Sequence, residues 1–271
     1  MSVAYALLLA LVQGITEFLP ISSAAHLILL PWLIGGEDQG LTFDAAANTG
    51  TLFAVLLYFR VEMAELARLF VRRVAEPRRK LQGPTEDLLW KLAAATLPVG
   101  IVGWLVQDWV AEQARNPVLI GWTSILFGLV LGLADRFGRK GLAVEELRWR
   151  SAIGVGLAQA VALVPGVSRA GITMTAGLAS GLSREAAARF SFLLYVPVSV
   201  LVAIKDLLDL GRGAVVFADL MPLAVTFLGS AMVGYAVIAL LLAWLRRRSL
   251  QVFVVYRVLL GVAILALVWR G

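Results

Sequence analysis

Long apolar stretches alternate with short polar ones along the chain, and two of the apolar stretches are broken in the middle. Residues 2–12 are apolar and read as helix. Gln13-Gly14-Ile15-Thr16-Glu17 then brings in polar groups, and Pro20 ends the helix. Ser22 and Ser23 suit the N-cap of a second short helix, running from Ala24 to about Leu33. Neither piece has the roughly 20 apolar residues that a comfortable crossing takes. The pattern predicts a hairpin that enters the membrane and returns. Unbroken spans follow at 43–59, 88–110 and 117–134. Polar segments at 60–87 and 111–116 separate them, and a basic segment at 135–150 follows.

The pattern then starts again. Residues 151–164 are apolar and contain Gln159, Pro165-Gly166 breaks them, and Ser168 can cap a short helix to about Ser180. Spans are expected at 185–204, 220–245 and 252–269, with a loop at 205–213. Each half therefore reads hairpin, span, span, span. The expected fold is an all-α polytopic membrane protein, with six transmembrane helices plus two opposed re-entrant helical hairpins. It forms one integral membrane domain over 1–271, with an inverted repeat of 1–135 and 151–271. Gln13 precedes Ser22 by as many residues as Gln159 precedes Ser168, and three spans per half is an odd number, so the halves run in opposite senses.

Composition agrees with a membrane protein: 60% of the 271 residues are hydrophobic and only 15% are charged, against about 25% charged in soluble domains. The formal charge of +6 does not point to nucleic acid. Its Lys and Arg cluster at 60–91, 135–150 and 246–248, beside the spans, as the positive-inside rule places them on the cytoplasmic side, facing anionic lipid. The turns at 35–40, 111–116 and 205–213 then face out, and the first hairpin enters from outside. No cleavable leader is expected from the first residues. The chain has no cysteine, which excludes disulfides and thiolate metal sites within it.

The broken tips carry the chemistry. A helix N-terminus holds unpaired N–H groups and about half a positive charge, so two converging N-termini make an anion site. Arg169 adds a fork suited to phosphate oxygens. Ser22, Ser23, Ser168 and Thr173 add hydroxyls, and Gly166 lies in the second break. Glu17 beside a bound phosphate needs compensation. A divalent cation bridging it to phosphate would supply that, with Gln13 one turn away as a neutral ligand; pairing of Glu17 with Arg169 is the other reading. His26, the only histidine, follows Ser23 by three residues and so shares its helical face. Ser23 as nucleophile with His26 as base is the expected pair, and His26 as direct phosphoryl acceptor is the rival.

Gln13-x-x-x-Glu17, Pro20-x-Ser22-Ser23-x-x-His26 and Pro165-Gly166-x-Ser168-Arg169-x-Gly171-x-Thr173 together resemble the bacterial undecaprenyl-pyrophosphate phosphatase family of the bacitracin-resistance type, over essentially the whole chain. The resemblance implies removal of the terminal phosphate from a C55 polyprenyl diphosphate, which recycles the lipid carrier of peptidoglycan synthesis. It also implies a divalent cation (Mg2+ or Ca2+), the bacterial inner membrane and a site open to its outer side. The lipid substrate and membrane lipids are the expected partners, and a homodimer is left open. The family's metal motif falls on Gln13 and Glu17, and its other site positions fall on Ser23, His26, Ser168, Arg169 and Thr173. Ala170 departs from it, since the family often has serine there. The type-2 phosphatidic-acid phosphatases need two histidines in separate motifs and do not fit. A polyprenyl-phosphate transporter or flippase using the same anion site is the alternative, because opposed hairpins are also a transporter architecture.

Overall fold

The computed structural model describes residues 2–35, 39–78, 81, 83–113, 116–139, 141–209 and 220–270. Several positions used above lie outside them: Gly36, Glu37, Asp38, Arg79, Lys80, Arg115, Lys140, Arg212 and Gly213. The described residues form helices only, apart from one isolated bridge between Leu142 and Leu182. They are α1 (Val3–Thr16), α2 (Ser23–Ile34), α3 (Leu41–Tyr58), α4 (Arg60–Ala75), α5 (Gly83–Gln113), α6 (Pro117–Phe137), α7 (Trp149–Val161), α8 (Arg169–Ala179), α9 (Arg184–Asp209), α10 (Leu220–Leu245) and α11 (Gln251–Arg270).

Five of these, α5, α6, α9, α10 and α11, are long and apolar enough to cross a membrane, and the chain is a polytopic membrane protein. The third expected span of the first half, α3, is long enough at 18 residues. It is less apolar because Asp44, Asn48, Thr49 and Thr51 lie within it. The large apolar side chains of α5, α6 and α11 that point outward, Trp104, Leu126 and Leu259 among them, are exposed, as lipid-facing residues would be.

The segment at 60–87 differs from its reading as one polar connection. Its first part is α4, whose apolar positions recur at helical spacing among arginines and glutamates; Leu66 is buried, while Phe70 and Val74 are not. Arg73 on α4 bonds Glu86 on α5 at 2.8 Å, and Arg189 on α9 pairs with Glu62. The loop expected from 205 also starts later, since α9 continues to Asp209, and α5 runs on to Gln113.

Two short hairpins, α1–α2 and α7–α8, sit among the long helices. The first packs through α1 against α10 and α3; the second packs through α7 against α5, and through α8 against α6 and α9. Helices in lipid gain from close backbone approach rather than from excluding water. Gly156 on α7 shows this: a Cβ there would fall 2.3 Å from the Ala95 carbonyl of α5. The largest apolar cluster joins both halves, from Phe18 at the first break to Met174 on α8, Phe192 on α9 and Leu241 on α10.

Candidate active site

Both breaks end the same way. Ser22 has φ 74° and Ser168 has φ 70°, and they are the only non-glycine residues with positive φ among those described. Such a backbone costs about 1–3 kcal/mol and persists only where surrounding structure enforces it. Each serine then caps the helix it precedes: Ser22 Oγ accepts from the Ala25 N–H at 3.4 Å, and Ser168 Oγ accepts from the Gly171 N–H at 3.1 Å. The capping leaves the first N–H groups of α2 and α8 available to an anion. Gly166, with φ +86°, makes the second break; a Cβ there would collide with Thr123 Oγ1 at 2.1 Å.

The fold brings Glu17 and Arg169 together across the two hairpins, with Glu17 Oε1 2.8 Å from Arg169 Nη2. The pairing reading for Glu17 therefore describes this structure. The other carboxylate oxygen, Oε2, accepts the Ser23 hydroxyl at 2.6 Å and a Gln13 amide N–H at 3.2 Å. Ser23 thus gives its proton toward Glu17, not toward His26. The His26 Nδ1 sits 2.7 Å from the Ser22 carbonyl, and its Nε2 lies 2.6 Å from the Tyr256 hydroxyl. A carbonyl only accepts, so Nδ1 carries the proton and Nε2 accepts from Tyr256. The imidazole also stacks on the Tyr256 ring at 5.7 Å. Helical spacing puts Ser23 and His26 on one face, but Ser23 is the first residue of α2 and its hydroxyl reaches back to α1.

Thr173 does not point into the anion site. Its hydroxyl bonds the Arg169 carbonyl at 2.8 Å and meets Ser191 Oγ of α9 at 2.7 Å, which holds the first turn of α8. Four residues that the sequence reading passed over complete the surroundings. The Arg169 guanidinium lies over the Tyr195 ring at 4.0 Å, and Tyr195 OH meets Thr51 Oγ1 at 2.9 Å. Asn48 accepts from Gln13 at 2.8 Å. A contact ring thus runs from Glu17 through Arg169, Tyr195, Thr51, Asn48 and Gln13 back to Glu17.

The fourth is Arg257 on α11, wholly buried. It donates to Pro20 O at the first break and to Gly166 O and Val167 O at the second, at 3.4, 2.9 and 2.9 Å, and to Ser124 O at 3.2 Å on α6. Five-donor arginine is the one side chain that can satisfy so many carbonyls at once. Arg257→Met takes this donor from the Pro20, Gly166 and Val167 carbonyls, which lie outside the helices. At about 1–3 kcal/mol per orphaned group, the loss is expected to lower the unfolding midpoint in detergent by at least about 6 °C, read by scanning fluorimetry.

No group of three or more His, Cys, Asp or Glu side chains that could hold a metal occurs among the described residues. The donor set suits a cation that shares its ligands with a phosphate. Glu17 carries the negative charge, and Gln13 Oε1 is buried without a hydrogen-bond partner, an oxygen that a bound cation would satisfy.

A carboxylate on a serine hydroxyl, an arginine fork and two helix N-termini meet within a bundle of apolar helices, a candidate anion site in a polytopic membrane protein. The profile of the bacitracin resistance protein BacA family matches residues 6–263, and the chain belongs to that family. A protein of Magnetococcus marinus named undecaprenyl-diphosphatase is 54% identical over 262 residues, 96% of this chain and 97% of that one. Proteins of the same name from Nitrosococcus oceani and Pelobacter propionicus are 47% identical, over 94% of this chain and 95% of theirs, and 42% identical, over 100% and 99%.

Proposed function

We propose that this chain hydrolyses undecaprenyl diphosphate to the monophosphate and inorganic phosphate, and so recycles the lipid carrier of cell-wall synthesis and confers bacitracin resistance. The observation that carries this reading is the 2.6 Å bond from Ser23 Oγ to Glu17 Oε2, with Arg169 2.8 Å from the same carboxylate. A transporter needs the anion site but has no use for a serine whose proton already leans on a base. The purified protein in detergent should release inorganic phosphate from C55 polyprenyl diphosphate; binding of the lipid without release would favour the transporter.

In the proposed reaction, Glu17 takes the Ser23 proton as Oγ attacks the terminal phosphorus, and the polyprenyl monophosphate leaves as a stable anion. Arg169 and the first N–H groups of α2 and α8 stabilise charge on the transferring phosphoryl group. His26 is a positioning residue here: it holds the Ser22 carbonyl, and with it the turn that presents Ser23. Glu17 and Gln13 would hold a divalent cation, whose charge would offset that of the substrate phosphates. The charge asymmetry of the connecting segments supports the bacterial inner membrane, with the two halves as an inverted repeat and the site reached from the outer side.

Three variants probe Arg169. Arg169→Lys keeps the charge and loses the fork, and should lower kcat by at least about tenfold, the worth of one phosphate contact in the transition state. Tyr195→Leu removes the ring that supports the guanidinium, an interaction of about 0.5–2 kcal/mol. Its kcat/KM should fall by about tenfold, while Tyr195→Phe keeps the ring and stays within about threefold. Steady-state phosphate release measures all three. Equal losses in Leu and Phe would place the effect in the hydroxyl bonds instead.

A further inference from the structure

Two cavities meet at the Glu17–Arg169 pair. A cavity of about 240 Å³ on one side is lined by Ser22, Ser23, Ser168 and the apolar Ile28, Leu163 and Val164. A second cavity, of about 190 Å³, lies on the other side, between α3 and α9. Among the described residues, Glu17 and Arg169 alone line both. Ser23 faces only the first.

Both spaces have apolar walls and differ in the polar groups set into them. The first combines the hydroxyls and the arginine with apolar walls, which suits a diphosphate carried on an isoprenoid. The second has apolar Leu52, Val198 and Val202 in its walls as well. It has polar groups along its length: Asn48 and Thr49 on α3, and Tyr195, Ser199 and Asp206 on α9. Positions 195, 199 and 206 lie on one helical stripe, which at 1.5 Å per residue extends about 16 Å from the ion pair toward the end of α9. At about 30 Å³ per molecule, 190 Å³ has room for about six waters.

We propose that the α3–α9 cavity delivers the water that completes the reaction, so that lipid and water reach the site from opposite sides of the Glu17–Arg169 pair. This rests on the serine mechanism proposed above. After the monophosphate leaves, phosphate is bonded to Ser23 Oγ. Water from the cavity bonds to phosphorus, the P–O bond to Ser23 breaks, the proton that Glu17 took passes back to Oγ, and inorganic phosphate leaves as the dihydrogen anion with both water protons. While phosphate is present it competes with Glu17 for the Arg169 guanidinium, which loosens the pair when water is needed. With the site empty, the closed pair keeps the two spaces apart.

The absence of cysteine from the chain makes single thiols a clean probe. Ser199→Cys and Ala203→Cys should react with a hydrophilic, charged thiol reagent at least about tenfold faster than Leu201→Cys, because a thiolate forms only where water reaches. Leu201 lies on the same helix and is 51% exposed on its apolar face. A second test fills the space. Ala203→Phe should leave the initial burst of polyprenyl monophosphate unchanged, lower steady-state turnover by about tenfold and accumulate phosphoserine at Ser23. Cysteines at 199 and 203 that react no faster than the one at 201 would overturn the proposal. So would a burst and steady state that slow together in Ala203→Phe, or a turnover unchanged there. If wild-type protein forms no phosphoserine, the serine mechanism fails, and the thiol rates still report whether the cavity is wet.

Discussion

Glu17→Gln is expected to lower kcat by at least about a hundredfold, the lower end of what a positioned general base contributes. The change keeps the side chain's size and removes three things at once: the acceptor for the Ser23 proton, the partner of Arg169, and the one charged ligand available to a divalent cation. The measurements separate these. Loss of the base alone leaves lipid binding intact and lowers kcat with little change in KM. Loss of the cation site shows as a weaker dependence of residual turnover on added Mg2+ or Ca2+ and a weaker response to chelator. Turnover and chelator sensitivity both unchanged would make Glu17 a structural partner of Arg169 and nothing more.

Much of this site was legible from local rules. The N-cap chemistry of Ser22 and Ser168, the helix breaks at Pro20 and Pro165-Gly166, and the candidacy of Glu17 and Arg169 as charges in apolar sequence all follow from residues close together in the chain. Other features depend on which helices meet. Asn48, Thr51 and Tyr195 look like ordinary polar positions within spans until α3 and α9 come to rest beside the hairpins. Arg257 was within reach: a lone arginine inside an apolar span is the same signal that singled out Arg169. Ser23 and His26 bond other partners in this structure for a simple reason. Spacing along a helix fixes the face a residue shares, but the first residue of a helix can turn its side chain back to the preceding one. In α4 the arginines and glutamates mask a helical apolar period in an otherwise polar segment.

Two strained serines at matching places need a common restraint, and Arg257 is placed to provide it. Its donors reach Pro20 O and Gly166 O, one carbonyl from each break. The two tips are thus held relative to one another by a single side chain from a third element. Since Glu17 follows from the first hairpin and Arg169 from the second, their 2.8 Å contact depends on that registration. A shift of about 1 Å between hairpins would separate the base from the arginine, and misplacements of this size cost catalysis about a hundredfold.

Ser23→Ala is expected to produce the largest loss, about a thousandfold or more in kcat, because it removes the attacking atom while the helix N-termini and Arg169 stay in place. Polyprenyl diphosphate should still bind. His26→Ala should behave differently. The imidazole has Nδ1 committed to the Ser22 carbonyl and Nε2 to Tyr256, so neither nitrogen is turned toward Ser23 or the Glu17–Arg169 pair. Its removal loosens the turn before Ser23 and should cost about tenfold to a hundredfold, within the range that mispositioning produces. Acid-stable phosphoserine at Ser23 should remain detectable in His26→Ala after quenching with labelled substrate. An acid-labile phosphohistidine trapped in the wild type, together with substantial turnover in Ser23→Ala, would transfer the nucleophile's role to His26. It would also require the ring to leave Tyr256 and swing inward before the chemistry begins.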